Sequence, residues 1–190
     1  MVCDSTDALF QGGRWWAQFL APDHGPALET LFERCADYFE LEFGLPPGPA
    51  EAQSAFIGLP EGKTYEDKLL IGIFEGHGNL IGVLDVIRDH PQTGEWNLAL
   101  MLLDPSWRGQ GMGREIYAAF ERWATRLGAR YISLAVTEQN QRARRFWLLQ
   151  GFELVGRRPP KRLGAKESAL VVMRRALSPL SPPEFGQHWD

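Results

Sequence analysis

Cysteine is nearly absent from this 190-residue chain, which holds only Cys3 and Cys35. Two cysteines at that spacing suit neither a metal-ligand motif nor a disulfide framework. No metal centre is expected, and a reducing, cytoplasmic setting is. No apolar run approaches the ~20 residues of a membrane-spanning helix, so no membrane partner is expected. A basic excess is missing as well. The net charge is -4, which argues against nucleic acid as a partner. The opening residues are acidic and carry neither the basic nor the apolar region of a secretory leader. Repeats and low-complexity blocks are lacking in the body of the chain. Aromatic residues make up 12%, with 7 Trp, some for the core and some able to line a ligand cleft.

What remains is an ordinary globular mixture, 44% hydrophobic and 23% charged. The length fits one domain, read as 1–190 with a core at about 14–175 and tails at 1–13 and 176–190. The pattern predicts a strand over 14–20, then a helix over 24–43 with Leu28, Leu31, Phe32, Cys35, Phe39 and Phe43 along one stripe. The run Pro46-Pro47-Gly48-Pro49 breaks it, and a weaker helix follows at 50–57. Strands at 68–75 and 80–88 flank the turn residues Gly76-His77-Gly78-Asn79, and a third strand of this meander covers 95–103. A long helix over 111–128 puts Ile116, Ala119, Phe120, Trp123 and Leu127 on one face. A strand at 131–136, a short helix at 140–150, a strand beginning at 152–156 and a last strand at 168–174 complete the order. The result is a mixed α/β fold.

The most informative segment is LLDPSWRGQGMGR, residues 102–114. A strand ends, a glycine-rich turn follows and a helix begins. Glycines let backbone N–H groups approach a ligand closely, and a helix start adds unpaired donors and the positive dipole end. Such a turn suits a phosphate or diphosphate, although a plain strand-to-helix connection would use similar residues. A P-loop fails here because Gly109 is followed five on by Arg114, with no Lys-Ser/Thr. The dinucleotide fingerprint fails at the same Arg114. R-x-x-G-x-G fits, on Arg108, Gly111 and Gly113.

Together with Asn140-x-x-Ala143-x-x-Phe146-Trp147-x-x-x-Gly151-Phe152, that turn resembles the two cofactor motifs of the GCN5-related N-acetyltransferase (GNAT) superfamily. The order of elements agrees over about 14–175, and the specific motifs over 102–152. The resemblance implies a central, mostly antiparallel mixed sheet of six to seven strands with about four helices. A splayed parallel pair of strands, 95–103 and 131–136, would form the coenzyme A cleft. It implies acetyl-CoA as acyl donor, paired through the backbone of Met101, Leu102 and Leu103. Arg108, Gly109, Gln110, Gly111, Met112, Gly113 and Arg114 would lie around the diphosphate. Asn140 matches a position that contacts the cofactor, and asparagine is also a good helix N-cap. Within the basic run Arg142, Arg144, Arg145, Arg157, Arg158, Lys161 and Arg162, one or two could meet the 3'-phosphate, or the run is a solvated face.

The implied reaction is direct attack of a neutral primary amine, on a small molecule, peptide or protein, at the thioester carbonyl. An oxyanion donor is expected in the backbone N–H of Leu102 or Leu103. The family's usual tyrosine acid falls on Trp147, whose indole N–H donates but does not usefully ionise. This departure opens an alternative, a non-catalytic acyl-CoA-binding or sensor module. Strand alternation puts Glu95, Asn97, Ala99, Met101 and Leu103 on one face and makes Glu95 the first candidate base, with Asp85 second. A glutamate used by the ribosomal-protein-acetylating branch is replaced here by Ala135. Tyr38, Glu40, Glu42 and Tyr65 suggest an acidic, aromatic surface for the acceptor. Family members often dimerise, so a homodimer is a further expectation.

Overall fold

The computed structural model describes residues 8–178. Strands β1 (Phe10–Gln11), β2 (Trp15–Phe19), β3 (Lys68–Glu75), β4 (Asn79–Ile87), β5 (Glu95–Leu103), β6 (Tyr131–Thr137), β7 (Glu153–Leu163) and β8 (Lys166–Ala176) form one sheet. Its order is β1-β2-β3-β4-β5-β6-β8-β7. Every neighbouring pair is antiparallel except β5 and β6, which run parallel. The helices are α1 (Gly25–Arg34), α2 (Ala36–Phe43), α3 (Pro49–Ile57), α4 (Met112–Arg126) and α5 (Gln141–Leu149).

The described residues therefore form eight strands and five α-helices, one more of each than the upper expectation. The extra strand is Phe10–Gln11, read as loose from sequence because a two-residue strand has no period to detect. The extra helix arises at Cys35, where φ -99° and ψ 25° interrupt the stripe and separate α1 from α2. The tail read at 176–190 falls outside the described residues from 179 onward.

One face of the sheet packs against α4, with Ile116, Phe120 and Trp123 meeting Trp96, Leu98 and Ile132. Leu127, expected on that stripe, lies past the helix end and is exposed, while Tyr117 and Ala124 are buried instead. The opposite face packs against α1, α2 and α3 through Leu28, Leu31, Phe32 and Phe39.

Two register shifts matter for the site. Pairing of β4 with β5 steps from Asp85↔Leu100 to Val86↔Leu98, which inserts one extra residue at Ala99. Pairing of β7 with β8 steps from Arg158↔Leu170 to Lys161↔Ser168, an extra residue at Pro159-Pro160. Proline is tolerated there because β7 is an edge strand. The β7–β8 tip is tied to the end of α2. Ala165 N–H donates to the Phe43 carbonyl at 2.7 Å, and Lys166 Nζ donates to the carbonyls of Glu40 and Leu41 at 2.8 Å each. Gly164 makes this approach feasible: φ is +59°, and a Cβ there would lie 2.6 Å from the Phe43 carbonyl oxygen.

Candidate active site

Strands β5 and β6 pair only over Glu95–Asn97 and Tyr131–Ser133, then part. Two cavities open along the released edge. The first, about 490 Å³, lies between the glycine-rich turn, α2 and α5. The second, about 360 Å³, lies between Ala99–Met101 and Leu134–Thr137, with α2 and the β7–β8 hairpin as walls. Tyr38, Met101, Asn140, Ala143 and Trp147 line both.

The glycine-rich turn forms the outer end of the first cavity. Gly109 and Gly111 adopt φ +79° and +81°, and a Cβ on either would have no neighbour within 4 Å. Both positions thus need glycine's left-handed freedom and leave open space above the chain. Gly111 caps α4 without any side-chain acceptor, and the first helical bond is Glu115 N–H to the Gly111 carbonyl. The amides of Met112, Gly113 and Arg114 precede that bond and have no helical acceptor. An array of free donors at the positive end of a 15-residue helix fits a phosphate or diphosphate. The turn's side chains play unequal parts. Arg114 lines the cavity. Gln110 donates instead to the Ser106 carbonyl at 3.2 Å and lines neither cavity, and Met112 is buried in the α4 core.

Arg108 holds this turn in place. Its Nε donates to the Leu103 carbonyl at 2.6 Å and its Nη1 pairs with Asp37 of α2 at 2.5 Å. Burial opposes the charge, but Asp37 outweighs it and holds the guanidinium pKa above its ordinary value. Asn140 joins two helices in the same way. Its Oδ1 accepts from Ala143 N–H at 2.9 Å, the N-cap of α5, and its Nδ2 donates to Glu42 Oε1 at 2.5 Å. The Asn140 and Glu42 side chains are both buried.

The strand register decides which β5 backbone groups are free. Asp104 N–H donates to the Ile81 carbonyl at 2.8 Å. Bonded and non-bonded pairs alternate along an antiparallel ladder. In that register Leu102 is bonded to Val83, while Met101 and Leu103 turn their N–H and C=O groups away from β4. The Leu103 carbonyl is met there by Arg108 and, at 3.6 Å, by Cys35 Sγ.

Trp147 is buried at the common wall, edge-on to Tyr117, Phe146 and Phe152 with ring centroids at 5.3, 4.8 and 5.1 Å. Tyr117 does not line either cavity, and burial pushes its hydroxyl pKa far up. The phenol at the wall is Tyr38, whose pKa is also driven up, by burial and then by Glu42.

Glu95 and Asp85 sit elsewhere. The extra residue at Ala99 switches the faces of β5. Trp96 and Leu98 pack on the α4 side, as do Met101 and Leu103, whereas Leu100 and Leu102 face α1 and α2. Glu95 and Met101 therefore do not share a face. The buried Glu95 carboxylate pairs with Arg174 at 2.8 Å and accepts from Gln92 at 3.1 Å, and it lines neither cavity. Asp85 pairs with Lys68 at 2.8 Å. Burial raises the Asp85 carboxyl pKa in spite of that partner. Of the expected acceptor residues, Tyr38 and Glu42 line the second cavity, while Glu40 and Tyr65 are exposed outside it. Sequence reading missed His90, Thr137 and Leu163 as cavity residues, and it set Arg158 and Lys161 in a basic run for the 3'-phosphate of the donor, whereas both line this second cavity. Only the hairpin register and the parting of β5 from β6 bring them together.

This geometry makes Glu95→Gln a stability variant. Removing one charge of a buried pair strands the other, which costs about 3–5 kcal/mol when both are fully buried and less here because Arg174 is partly exposed. Chemical denaturation should show a loss of about 2 kcal/mol with turnover little changed. Intact stability with turnover lost would return Glu95 to the chemistry.

Among the described residues no group of three or more His, Cys, Asp or Glu could hold a metal ion. No helix among them is long and apolar enough to cross a membrane.

No curated protein matches the sequence. Solved structures match the fold throughout. An acetyltransferase from Thermus thermophilus is 24% identical with a TM-score of 0.69, over 87% of this chain and 98% of that one. The spermidine N-acetyltransferase from Vibrio cholerae, solved with CoA and spermine, is 15% identical with a TM-score of 0.68, over 88% and 98%. The ribosomal-protein-S18-alanine N-acetyltransferase from Escherichia coli is 17% identical with a TM-score of 0.61, over 90% and 97%. The model of the acetyltransferase (GNAT) family matches residues 28–152. That span runs from α1 through the parted strands and the glycine-rich turn to the end of α5, and with it the chain belongs to the acetyltransferase (GNAT) family.

Proposed function

We propose that the protein, acting as one domain, transfers an acetyl group from acetyl-CoA to a primary amine. The observation that carries this reading is the shared wall of the two cavities. One cavity ends on free helix-start amides, the other is lined by charged side chains, and the two meet at the free edge of β5. A donor and an acceptor bound there have their reacting ends side by side, which removes much of the entropic barrier to transfer.

The diphosphate of the donor rests on the amides of 109–114. The outward backbone groups of Met101 pair with the pantetheine arm, while the Leu103 carbonyl stays with Arg108. Of the two amides considered for the oxyanion, Leu103 is the one the register leaves free. The side chain of Leu102 lines the first cavity while its backbone is held by β4. Arg108 and Asn140 act as positioning residues.

An alkyl amine is mostly protonated at neutral pH, given a reference pKa near ~10.4. Among the described residues Glu42 is the only carboxylate lining the acceptor cavity, and Asn140 is the one hydrogen-bond donor to it. Glu42 accepts the proton, directly or through water. The amine nitrogen then forms a bond to the carbonyl carbon, the C–S bond breaks, the thiolate leaves, and the second proton lost by the nitrogen passes to solvent. Tyr38 keeps its proton because its pKa is raised, so it acts as a hydrogen-bond donor and not as an acid. Trp147 offers a second N–H. A thiol with a pKa near ~8.5 leaves well enough to be protonated by solvent.

The test is a CoA-release assay across an amine panel, alongside calorimetric titration with acetyl-CoA. Binding and amine-dependent release together support transfer. Binding with no release to any amine establishes the sensor module, for which the tryptophan at position 147 is the motivating observation.

A further inference from the structure

The charges around the second cavity are divided between its walls. Glu42 stands on the α2 wall, and Arg158 and Lys161 stand on the hairpin wall. The hairpin pair is a product of the Pro159-Pro160 bulge. Residues three apart on a regular strand point to opposite faces. Here Arg158 pairs with Leu170 and Lys161 with Ser168, two residues apart on β8, so both side chains share the face that carries Leu170 toward the cavity.

Neighbouring cations are already engaged. Arg157 pairs with Glu138 at 2.6 Å, Arg174 with Glu95 and Arg175 with Glu121 at 2.9 Å, and Arg162 donates to the Gly164 carbonyl at 3.2 Å. Among the described residues, neither the Arg158 nor the Lys161 side chain has a hydrogen bond or ion pair, and no bridge joins either one to Glu42. Two unpaired cations on one wall of a cavity focus potential toward an anion.

We infer that the acceptor is a small amine carrying an anionic group, a carboxylate or a phosphate, with its amine toward Glu42 and its anion on Arg158 and Lys161. The inference rests on the acyl-transfer reading above. It also sets this chain apart from a polyamine acetylase. A second ammonium group on the acceptor would face the two cations with no anion beside them.

Steady-state transfer by the full chain to β-alanine, O-phosphoethanolamine, ethanolamine and spermidine tests it. The first three share a two-carbon amine and differ in the far group. At least one anionic amine should exceed ethanolamine in kcat/KM by about tenfold, the scale of one charge-assisted hydrogen bond. Spermidine should be the poorest, and the better of the two anionic amines identifies the group. Arg158→Gln and Lys161→Gln should each raise KM for that amine, about tenfold in the double variant, with ethanolamine unaffected. Arg162→Gln, on the other face of β7, should change neither. Equal or better use of ethanolamine or spermidine overturns the inference and leaves acyl transfer standing, as does a double variant that keeps the preference. Release of CoA to none of the four amines but to another amine of the panel overturns the inference and leaves acyl transfer standing, whereas release to no amine at all, with acetyl-CoA still bound, overturns both.

Discussion

Calorimetric titration of Gly111→Glu with acetyl-CoA should give an affinity at least about 100-fold weaker than that of the unaltered chain, a loss of about 2.8 kcal/mol. Two effects add. The φ of +81° at Gly111 is strained for any other residue, at about 1–2 kcal/mol. The new carboxylate would also stand in the open space above the helix start, where the diphosphate is held, and repel it. Gly111→Ala separates the two, since it carries the strain without the charge and should lose only part of the affinity. Both variants should keep the cooperative unfolding of the parent, because nothing packs within 4 Å of that position. Undiminished binding by Gly111→Glu would move the donor away from this turn.

Glu42→Gln should lower kcat by about 10²-fold or more, the usual scale of general-base catalysis, with the KM for acetyl-CoA unchanged. The substitution is close to isosteric, and its amide oxygen can still accept from Asn140 Nδ2. Helix α2, the Asn140 link and the donor cavity therefore stay as they are. A turnover within threefold of the parent, at any amine that the parent uses, would remove Glu42 from the proton path.

The turn and helix start that line the first cavity were largely legible in the sequence because their signals are local. A strand end, a glycine-rich turn and a helix start follow one another in 102–114, and Asn140 opens α5. Strands β3 and β5 run over the expected residues, since Lys68–Glu75 and Glu95–Leu103 carry clear boundaries. The other cavity was legible only at Tyr38 and Glu42, because its remaining residues meet only through register. One extra residue at Ala99 turned the face of β5, and Glu95 sits in an ion pair with Arg174, far away in sequence. Another, at Pro159-Pro160, brought Arg158 and Lys161 to one side. A period-two reading of either strand assigns these side chains to the wrong face. Likewise Arg108 belongs to a motif that implies cofactor contact, and its partners in the fold are the Leu103 carbonyl and Asp37.

The anchoring of the hairpin tip on α2 has an evolutionary corollary. The family match ends at residue 152, one residue before β7 begins. The donor cradle lies inside the matched span, while the cationic wall of the acceptor cavity lies beyond it. The hairpin is secured at its tip by backbone groups, Phe43 O and the carbonyls of Glu40 and Leu41, and these bonds are indifferent to the side chains along its cavity face. Arg158, Lys161 and Leu163 can therefore drift without dislodging the wall they stand on. On the proposed reading, acceptor preference can diversify by substitution in this one ribbon while the glycine-rich turn stays fixed.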